Sequence, residues 1–287
     1  MHTEARARLE AALYVVATPL GNLRDITLRA LDVLASADAV AAEDTRLTRH
    51  LLSHYEIRTQ LLALHEHNEE QGALGIVKLL AEGKSVAYVT DAGTPAISDP
   101  GTLLVARVRE AGLRVIPIPG PSAVTAALSA AGVSAAQFLF YGFLPSKAGA
   151  RREVLADLSA LTSALVFYEA PHRVLETLED MVQACGSERR LVIAREITKM
   201  FESFHRCALG EAAGWLGEDA NRLKGEFVLI VDGAPELHDA AAAESDRVLQ
   251  ILLGELPLKQ AVQLATEITG AKRNALYQRA LELKKTD

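Results

Sequence analysis

Short apolar runs alternate with segments of helical spacing along the first 120 residues, and this alternation restricts the possible folds more than any other feature. Apolar runs at Leu13–Thr18, Ala39–Ala42 and Val86–Val89 are each followed by apolar residues three or four positions apart. Shorter runs at Gln60–Leu64 and Arg114–Ile118 complete the set. Strands that are joined by helices form a parallel sheet with helices on its faces. The sequence therefore predicts an α/β fold, in which ligands bind at the carboxyl ends of the strands.

Every predicted strand ends in a loop of small or charged residues. The most extensive one lies in Val86–Gly101, which reads VAYVTDAGTPAISDPG. Its glycine and alanine residues allow a ligand to approach the backbone, and Asp91 and Asp99 can accept hydrogen bonds. The alternative is that these carboxylates only cap the following helix, and capping suits Asp99 better than Asp91. The five loops are Pro19–Asn22, Glu43–Arg46, His65–Asn68, Thr90–Pro95 and Pro119–Ala123.

The pattern changes after residue 120, and the chain divides into three predicted parts. Residues 1–120 form an N-terminal α/β domain, and residues 121–235 form a second α/β domain that closes a cleft. Hairpin-like alternation in the second domain predicts a mixed sheet. Residues 244–287 contain only helical segments, and the turn at Gly270 resembles that of a helix-turn-helix. A small helical packing or dimerisation module is the alternative interpretation of this tail.

Composition and missing motifs argue against several classes of protein. The 287 residues carry a net charge of −7, which disfavours a uniformly basic coat for nucleic acid but allows a local basic face. Cys185 and Cys207 lack the spacing of zinc ligands, so we expect reduced thiols and no metal. Neither a signal peptide nor an apolar run of membrane-spanning length occurs, and we expect a cytoplasmic protein. The chain contains no Walker A, GxSxG or HExxH motif, and no GxGxxG follows the first strand.

Nine short motifs, each weak alone, occur in a fixed order along the chain. They are ATPLGNL (17–23), AEDTR (42–46), HEHN (65–68), VTDAGTPAISDPG (89–101), PGPSA (119–123), FYGFLP (140–145), FYEAPHR (167–173), REITK (195–199) and KGEFVLIV (224–231). In this order the motifs resemble the tetrapyrrole methylase superfamily of S-adenosylmethionine-dependent methyltransferases. Corrin and porphyrin methylases have a GAGPG-type loop where this chain has ATPLGN. This departure favours the branch of the superfamily that acts on ribosomal RNA.

The resemblance implies two α/β domains with S-adenosylmethionine in the cleft between them, and usually a homodimer. It also implies 2′-O-methylation of a cytidine in the decoding region of 16S rRNA, for which the small ribosomal subunit is the expected substrate particle. Glu169 and the backbone near Gly225–Phe227 are expected beside the cofactor. By position, the resemblance assigns the cofactor pocket to Leu20, Asp91, Ala92, Gly93, Thr94, Ile97, Ser122, Ala123, Phe143, Ala170 and Phe227.

Methyl transfer to a hydroxyl requires alignment of the reactants and an acceptor for the hydroxyl proton. We select Glu43, Glu169 and His65 as candidate acceptors, with His67 and His172 as further possibilities at the cleft. The alternative for the two glutamates is a salt bridge to Arg46 or Arg173. The expected phosphate contacts are basic residues near the cleft, and the acid-free loop Lys147–Arg152 is the strongest case. They are Arg29, Arg46, Lys147, Arg151, Arg152, Arg173 and Lys199.

Two other functions are consistent with parts of the sequence. A methylase of a small tetrapyrrole or corrinoid would share the fold, but the AEDTR, HEHN and FYEAPHR motifs and the helical tail disfavour it. A nucleic-acid-binding regulator would act through the tail alone and would need no cleft. Deletion of Glu244–Asp287 separates these classes, because a methylase should still bind S-adenosylmethionine without its tail whereas a regulator would lose all function.

Overall fold

The computed structural model describes residues 9–65, 68–133, 136–235 and 237–286. A first sheet of five parallel strands has the order β3-β2-β4-β1-β5. Its strands are β1 (Leu13–Val16), β2 (Ala39–Ala42), β3 (Leu61–Ala63), β4 (Val86–Val89) and β5 (Val115–Ile118). The helices that alternate with them are α1 (Leu28–Ser36), α2 (Thr45–His54), α3 (Glu69–Ala81) and α4 (Thr102–Glu110). The predicted parallel, helix-covered sheet is confirmed.

The two faces of the first sheet pack against different helices. Side chains alternate along a strand, so neighbours in sequence point to opposite faces. Tyr14 and Val40 lie in one apolar cluster with residues of α1 and α2, whereas Leu13 and Ala41 lie in another with residues of α3 and α4. Because both faces are buried, the strands are apolar along their whole length.

A second sheet is mixed, as predicted, with the order β6-β7-β10-β8-β9. Only β6 and β7 pair in parallel, and the remaining pairs are antiparallel. Its strands are β6 (Phe138–Phe143), β7 (Ala164–Glu169), β8 (Arg190–Arg195), β9 (Ser203–Ala208) and β10 (Phe227–Val231). One face is covered by α5 (Ala123–Ala131), whose small residues allow close packing. The other face packs against α6 (Ala148–Leu158), α7 (Val174–Cys185) and α8 (Leu209–Gly217).

Both sheets belong to one compact unit, which extends to Asp232 and excludes residues 160–162. The division into domains at residues 120 and 235 therefore stays a prediction, although β5 and β6 do belong to different sheets. A second unit contains α9 (Leu237–Glu255), α10 (Leu258–Thr269) and α11 (Arg273–Thr286). These helices pack around Leu249, Val262 and Leu276. The turn predicted at Gly270 is present, with a left-handed φ of 69°. Over the described ranges, no helix is long and apolar enough to cross a membrane.

Candidate functional site

A cavity of about 370 Å³ lies in the first unit, between loops that leave both sheets. Its volume is in the range of pockets that hold small molecules. Ten of the eleven residues predicted to bind the cofactor line it, and they are Leu20, Ala92, Gly93, Thr94, Ile97, Ser122, Ala123, Phe143, Ala170 and Phe227. The lining also includes residues outside that prediction, namely Asp99, Tyr168, Pro171, Ile197 and Val228. Glu169 and Glu226, which were expected beside the cofactor, line it as well.

Three loops of the first sheet are tied together at the wall of this cavity. The Thr18 N–H donates to the Gly93 carbonyl over 2.8 Å, and the Gly93 N–H donates to the Thr18 carbonyl over 3.0 Å. Thr94 Oγ1 donates to the Pro121 carbonyl over 3.0 Å. The φ of Gly93 is 78°, a conformation that glycine adopts without steric cost. The loops that follow β1, β4 and β5 therefore form one wall.

The segment around Ile97 connects this wall to the second sheet. Ala96 and Ser98 have φ values of 67° and 62°, which are uncommon for residues other than glycine. Such backbone strain is concentrated at functional sites in proteins. On β6, Gly142 has a φ of 85°, which favours glycine, and a Cβ atom there would force Ser98 Oγ to move. Ile97 and Phe143 both line the cavity and remain 44% and 51% exposed, which leaves apolar surface for a ligand to cover.

Asp99 faces the cavity and does not cap α4, so the prediction that it caps the helix is wrong. The N-cap of α4 is Gly101. Glu69 Oε1 accepts hydrogen bonds from the Gly101 and Leu104 N–H groups, over 3.1 and 3.2 Å. Asp99 instead accepts a hydrogen bond from Thr90 Oγ1 over 3.0 Å. Burial raises the pKa of Asp99, because the charged carboxylate is partly removed from water.

Asp91 does not line the cavity, in contrast to the prediction for it. Its Oδ1 accepts a hydrogen bond from the Asp44 N–H over 3.1 Å, which fixes the loop after β4 to the start of α2. Asp44 caps α2 through the Arg46 N–H, over 2.7 Å. The Asp91 carboxylate is thus used by the neighbouring loop, and its assignment to the cofactor stays a prediction.

Glu43 lies beside Asp91 at the carboxyl end of β2. Glu43 Oε2 is 3.5 Å from the Asp91 backbone nitrogen. Burial raises the pKa of Glu43, and the negative charge of Asp91 raises it further. A carboxylate with a raised pKa is a stronger base than an ordinary one. Glu43 does not itself line the cavity, but it lies next to Asp91, and the residues that follow Asp91 do line it.

Glu169 lines the cavity, but its carboxylate is occupied by hydrogen bonds and an ion pair within the protein. Its carboxylate accepts hydrogen bonds from the Ala170 N–H over 2.8 Å and from Thr177 Oγ1 over 2.6 Å. Arg173 Nε lies 3.4 Å from the same carboxylate, which is the salt bridge considered as an alternative above. The side chain is completely buried. These contacts make Glu169 an anchor for the start of α7 and do not favour it as a proton acceptor.

The two histidine candidates that the structure describes, His65 and His172, do not line the cavity. His65 follows β3 at the edge of the first sheet, and its backbone N–H donates to Asn68 Oδ1 over 2.8 Å. Within the first sheet, the cavity is lined by the loops after β1, β4 and β5, and β3 is separated from the nearest of these strands by β2. His172 is exposed just before α7. His67 lies outside the described residues.

The basic residues predicted to bind phosphate divide into two groups. Arg151 is only 2% exposed, and its Nε donates to Asp180 over 2.6 Å, so the prediction of an RNA contact is wrong for this residue. Arg173 donates to the Leu144 carbonyl over 2.7 Å. Lys199 pairs with Glu196 and Glu226 over 2.9 and 2.8 Å. The members that remain exposed are Arg29, Arg46, Lys147 and Arg152.

Two family models match the chain. The model of the tetrapyrrole (corrin/porphyrin) methylases matches residues 12–213, and that of the RsmI C-terminal HTH domain matches residues 239–284. The ribosomal RNA small subunit methyltransferase I of Escherichia coli O157:H7 is 51% identical over 273 residues, which is 95% of this chain and 96% of that protein. The protein of the same name from Vibrio cholerae is 51% identical over 271 residues, 94% of each chain.

Solved structures of tetrapyrrole methyltransferases share the fold. A cobalt precorrin-4 methyltransferase aligns with a TM-score of 0.61 and 17% identity, over 77% of this chain and 95% of that one. A uroporphyrin-III C-methyltransferase from Thermus thermophilus, in complex with S-adenosylhomocysteine, aligns with a TM-score of 0.56 and 17% identity, over 77% of this chain and 97% of that one. At these identities the likeness shows the fold alone.

Proposed function

Because the chain belongs to the tetrapyrrole (corrin/porphyrin) methylase family, we propose that it methylates small-subunit ribosomal RNA with S-adenosylmethionine as the methyl donor. The observation that carries this proposal is the 51% identity to a ribosomal RNA small subunit methyltransferase I over 95% of the chain. That similarity extends through the C-terminal helices, where an RsmI C-terminal domain also matches. We propose the ribose 2′-oxygen of a cytidine in the decoding region of 16S rRNA as the methyl acceptor.

The cavity fits S-adenosylmethionine in size and in chemistry. The donor has an adenosyl group, a carboxylate and two cationic groups, and a mainly apolar pocket with a few polar groups suits such a ligand. Leu20, Ile97 and Phe143 would contact the apolar parts of the donor, and the exposed surface of the last two would be covered. Asp99 would face one of the cationic groups. Gly93 allows the donor to approach the backbone.

S-adenosylmethionine, when bound, supplies an electrophilic methyl group. The main task of the protein is then to align the acceptor oxygen with that methyl, and alignment of this kind contributes on the order of 7–11 kcal/mol to catalysis. The tied loops after β1, β4 and β5 provide a wall of fixed geometry for this purpose. Of the three candidates for the proton acceptor, Glu43 is the one that the contacts favour, since Glu169 is engaged and His65 lies farther along the sheet.

The RNA contacts that we propose are those whose side chains remain exposed. Lys147 and Arg152 lie at the start of α6, and Arg29 and Arg46 lie on α1 and α2. We further propose that the protein acts in the cytoplasm, on the assembled small subunit, as a homodimer. Support for the homodimer comes from the family resemblance and from the edge strand β6, where Phe138 and Tyr141 are 45% and 39% exposed.

The proposed function is tested by incubating the purified protein with methyl-labelled S-adenosylmethionine and unmodified small ribosomal subunits. Nuclease digestion and mass spectrometry then locate the label. We expect 2′-O-methylcytidine in the decoding region of 16S rRNA. An absence of label on subunits and on free 16S rRNA, from protein that measurably binds S-adenosylmethionine, would contradict the RNA substrate and favour a small tetrapyrrole.

A further inference from the structure

Helix α2 has an acid-free, basic outer face in a chain whose net charge is −7. Its sequence, TRLTRHLLSH, contains two arginines and two histidines and no Asp or Glu. Arg46, Arg49, His50 and Ser53 are exposed at helical positions i, i+3, i+4 and i+7, which lie on one face. The opposite face, with its leucines at 51 and 52, is buried against the first sheet. Packing on the sheet thus leaves the face with Arg46, Arg49, His50 and Ser53 exposed to solvent, and we call this face the basic stripe.

The helix starts at the wall of the cavity. Its N-cap residue Asp44 donates its backbone N–H to Asp91 Oδ1, and the two residues after Asp91 line the cavity. Glu43, the proposed proton acceptor, immediately precedes Asp44 in the chain. From this point, the ten residues of α2 extend for about 15 Å at 1.5 Å per residue. The basic stripe therefore leads away from the site of methyl transfer.

Few acidic residues in the described part of the chain pair with this stripe. Among the residues that the structure describes, neither Arg49 nor His50 forms an ion pair with an acid. Arg46 pairs with Asp44 over 2.7 Å, but its side chain remains 83% exposed. By contrast, Arg107 on α4 and Arg279 on α11 each pair with two acidic residues. The charge of Arg49 is thus available to an anion from outside the chain.

One further arginine, Arg24, lies near the other end of α2, where the acidic residues Asp25 and Glu56 are also exposed. Tyr55, just after the helix, donates its hydroxyl proton to the Leu23 carbonyl over 2.6 Å. This bond holds the loop that carries Arg24 against the end of α2, and Arg24 is exposed. The acid-free basic surface is therefore confined to α2 itself, from Arg46 to His54.

We propose that the exposed face of α2, with Arg49 and His50 at its centre, binds the phosphates of the ribosomal RNA strand whose target ribose is methylated. This inference rests on the proposed function and assigns an RNA-positioning surface to it. Phosphate is the complementary charge for an acid-free basic stripe, and contacts to phosphate set the register and orientation of a nucleic acid. A strand along α2 would hold one of its nucleotides at the end of the helix where Glu43 lies.

The test compares Arg49→Gln with Arg109→Gln. Arg109 is an exposed arginine on α4 without an ion pair among the described residues, and α4 packs on the opposite face of the same sheet. Methylation of small ribosomal subunits that lack the modification is measured over a range of potassium chloride concentrations. Loss of one phosphate contact lowers the slope of log affinity against log salt by about 0.7–0.9, which corresponds to a loss of about four- to sixfold at 0.15 M relative to 1 M salt.

For Arg49→Gln we expect KM for the subunit to rise by about that factor, with a reduced salt slope, while kcat and the affinity for S-adenosylmethionine stay unchanged. Arg109→Gln should behave as the parent protein. If the parent methylates subunits and Arg49→Gln keeps the parental KM and salt slope, the inference is wrong and the proposed function stands. If Arg49→Gln instead changes the sedimentation coefficient with no change of KM, the basic stripe contacts a second copy of the protein, and the inference of RNA binding is wrong. A parent protein that methylates no ribosomal RNA contradicts the proposed function itself.

Discussion

Arg151 provides a sharp test of the difference between a structural and an RNA-binding basic residue. Its side chain is 2% exposed and its Nε lies 2.6 Å from Asp180, whose side chain is 8% exposed. Glu176 lies 3.6 Å away at the surface. Removal of one partner from a buried ion pair costs about 3–5 kcal/mol, because the other charge stays buried without compensation. For a folding unit of this size each kcal/mol lowers Tm by about 2–4 °C, so Arg151→Met should lower it by roughly 6–20 °C.

The matched control is Arg152→Met, on the next residue of the same helix. The Arg152 side chain is 55% exposed and its Nε is 4.0 Å from Asp180, so its loss should cost about 1 kcal/mol or less. Differential scanning calorimetry measures both Tm values, and the salt dependence of subunit methylation is measured in parallel. If Arg151→Met kept the parental Tm while its salt slope fell, the guanidinium would contact RNA and its assignment to the core would be wrong.

Three further predictions concern the cavity and its surroundings. Glu43→Gln should abolish methyl transfer. It should also raise Tm at pH 7, because the raised pKa of Glu43 means that folding disfavours the ionised carboxylate. In melts recorded from pH 4 to 8, this gain in Tm should vanish as the pH falls to 4.5, the ordinary pKa of the side chain. Gly93→Ala should lower the free energy of unfolding by about 1–2 kcal/mol in chemical denaturation, since a side chain at a φ of 78° is strained by about that amount and the new Cβ would lie 3.2 Å from Leu20 Cδ2. Thr177→Val should lower the free energy of unfolding by about 1.5–3 kcal/mol in chemical denaturation, because it removes a 2.6 Å hydrogen bond to the buried Glu169 carboxylate; a cost below 0.5 kcal/mol would contradict the anchoring role.

The first sheet was predictable because its signals are local. Strands buried on both faces are short apolar runs, and Ala39–Ala42 and Val86–Val89 are observed with the predicted limits. The order of the strands was not predictable from the same signals. It depends on which strands pair across the sheet, as β2 does with β4, and no local pattern encodes that choice. The mixed character of the second sheet was visible, whereas its order was not, for the same reason.

The basic segment 147–152, predicted as a loop, is the start of α6, and its arginines show how distant contacts decide the role of a charge. In sequence, Arg151 and Arg152 are equivalent neighbours, and both were predicted to contact RNA. The turn of α6 points Arg151 in the same direction as the buried Leu155, four residues later, and toward Asp180 on α7. That i, i+4 relation to an apolar position was the available signal. The acidic partner lies 29 residues away in sequence and could not be inferred from the loop.

The role of Asp99 depended on a competition that sequence alone does not resolve. An aspartate two residues before a glycine, at the start of a helix, is a reasonable candidate for the N-cap. In the structure, Glu69 at the start of α3 reaches the free N–H groups of α4 and accepts two of them. Glu69 thus takes the place of a capping side chain at this helix start, and Asp99 bonds to Thr90 instead. The carboxylate of Asp99 is thereby left to face the cavity, where a cationic ligand can compensate for its burial. Glu69→Gln should keep this arrangement, since the amide oxygen still accepts both bonds. Glu69→Ala should allow Asp99 to turn toward α4 and should weaken S-adenosylmethionine binding from a distance.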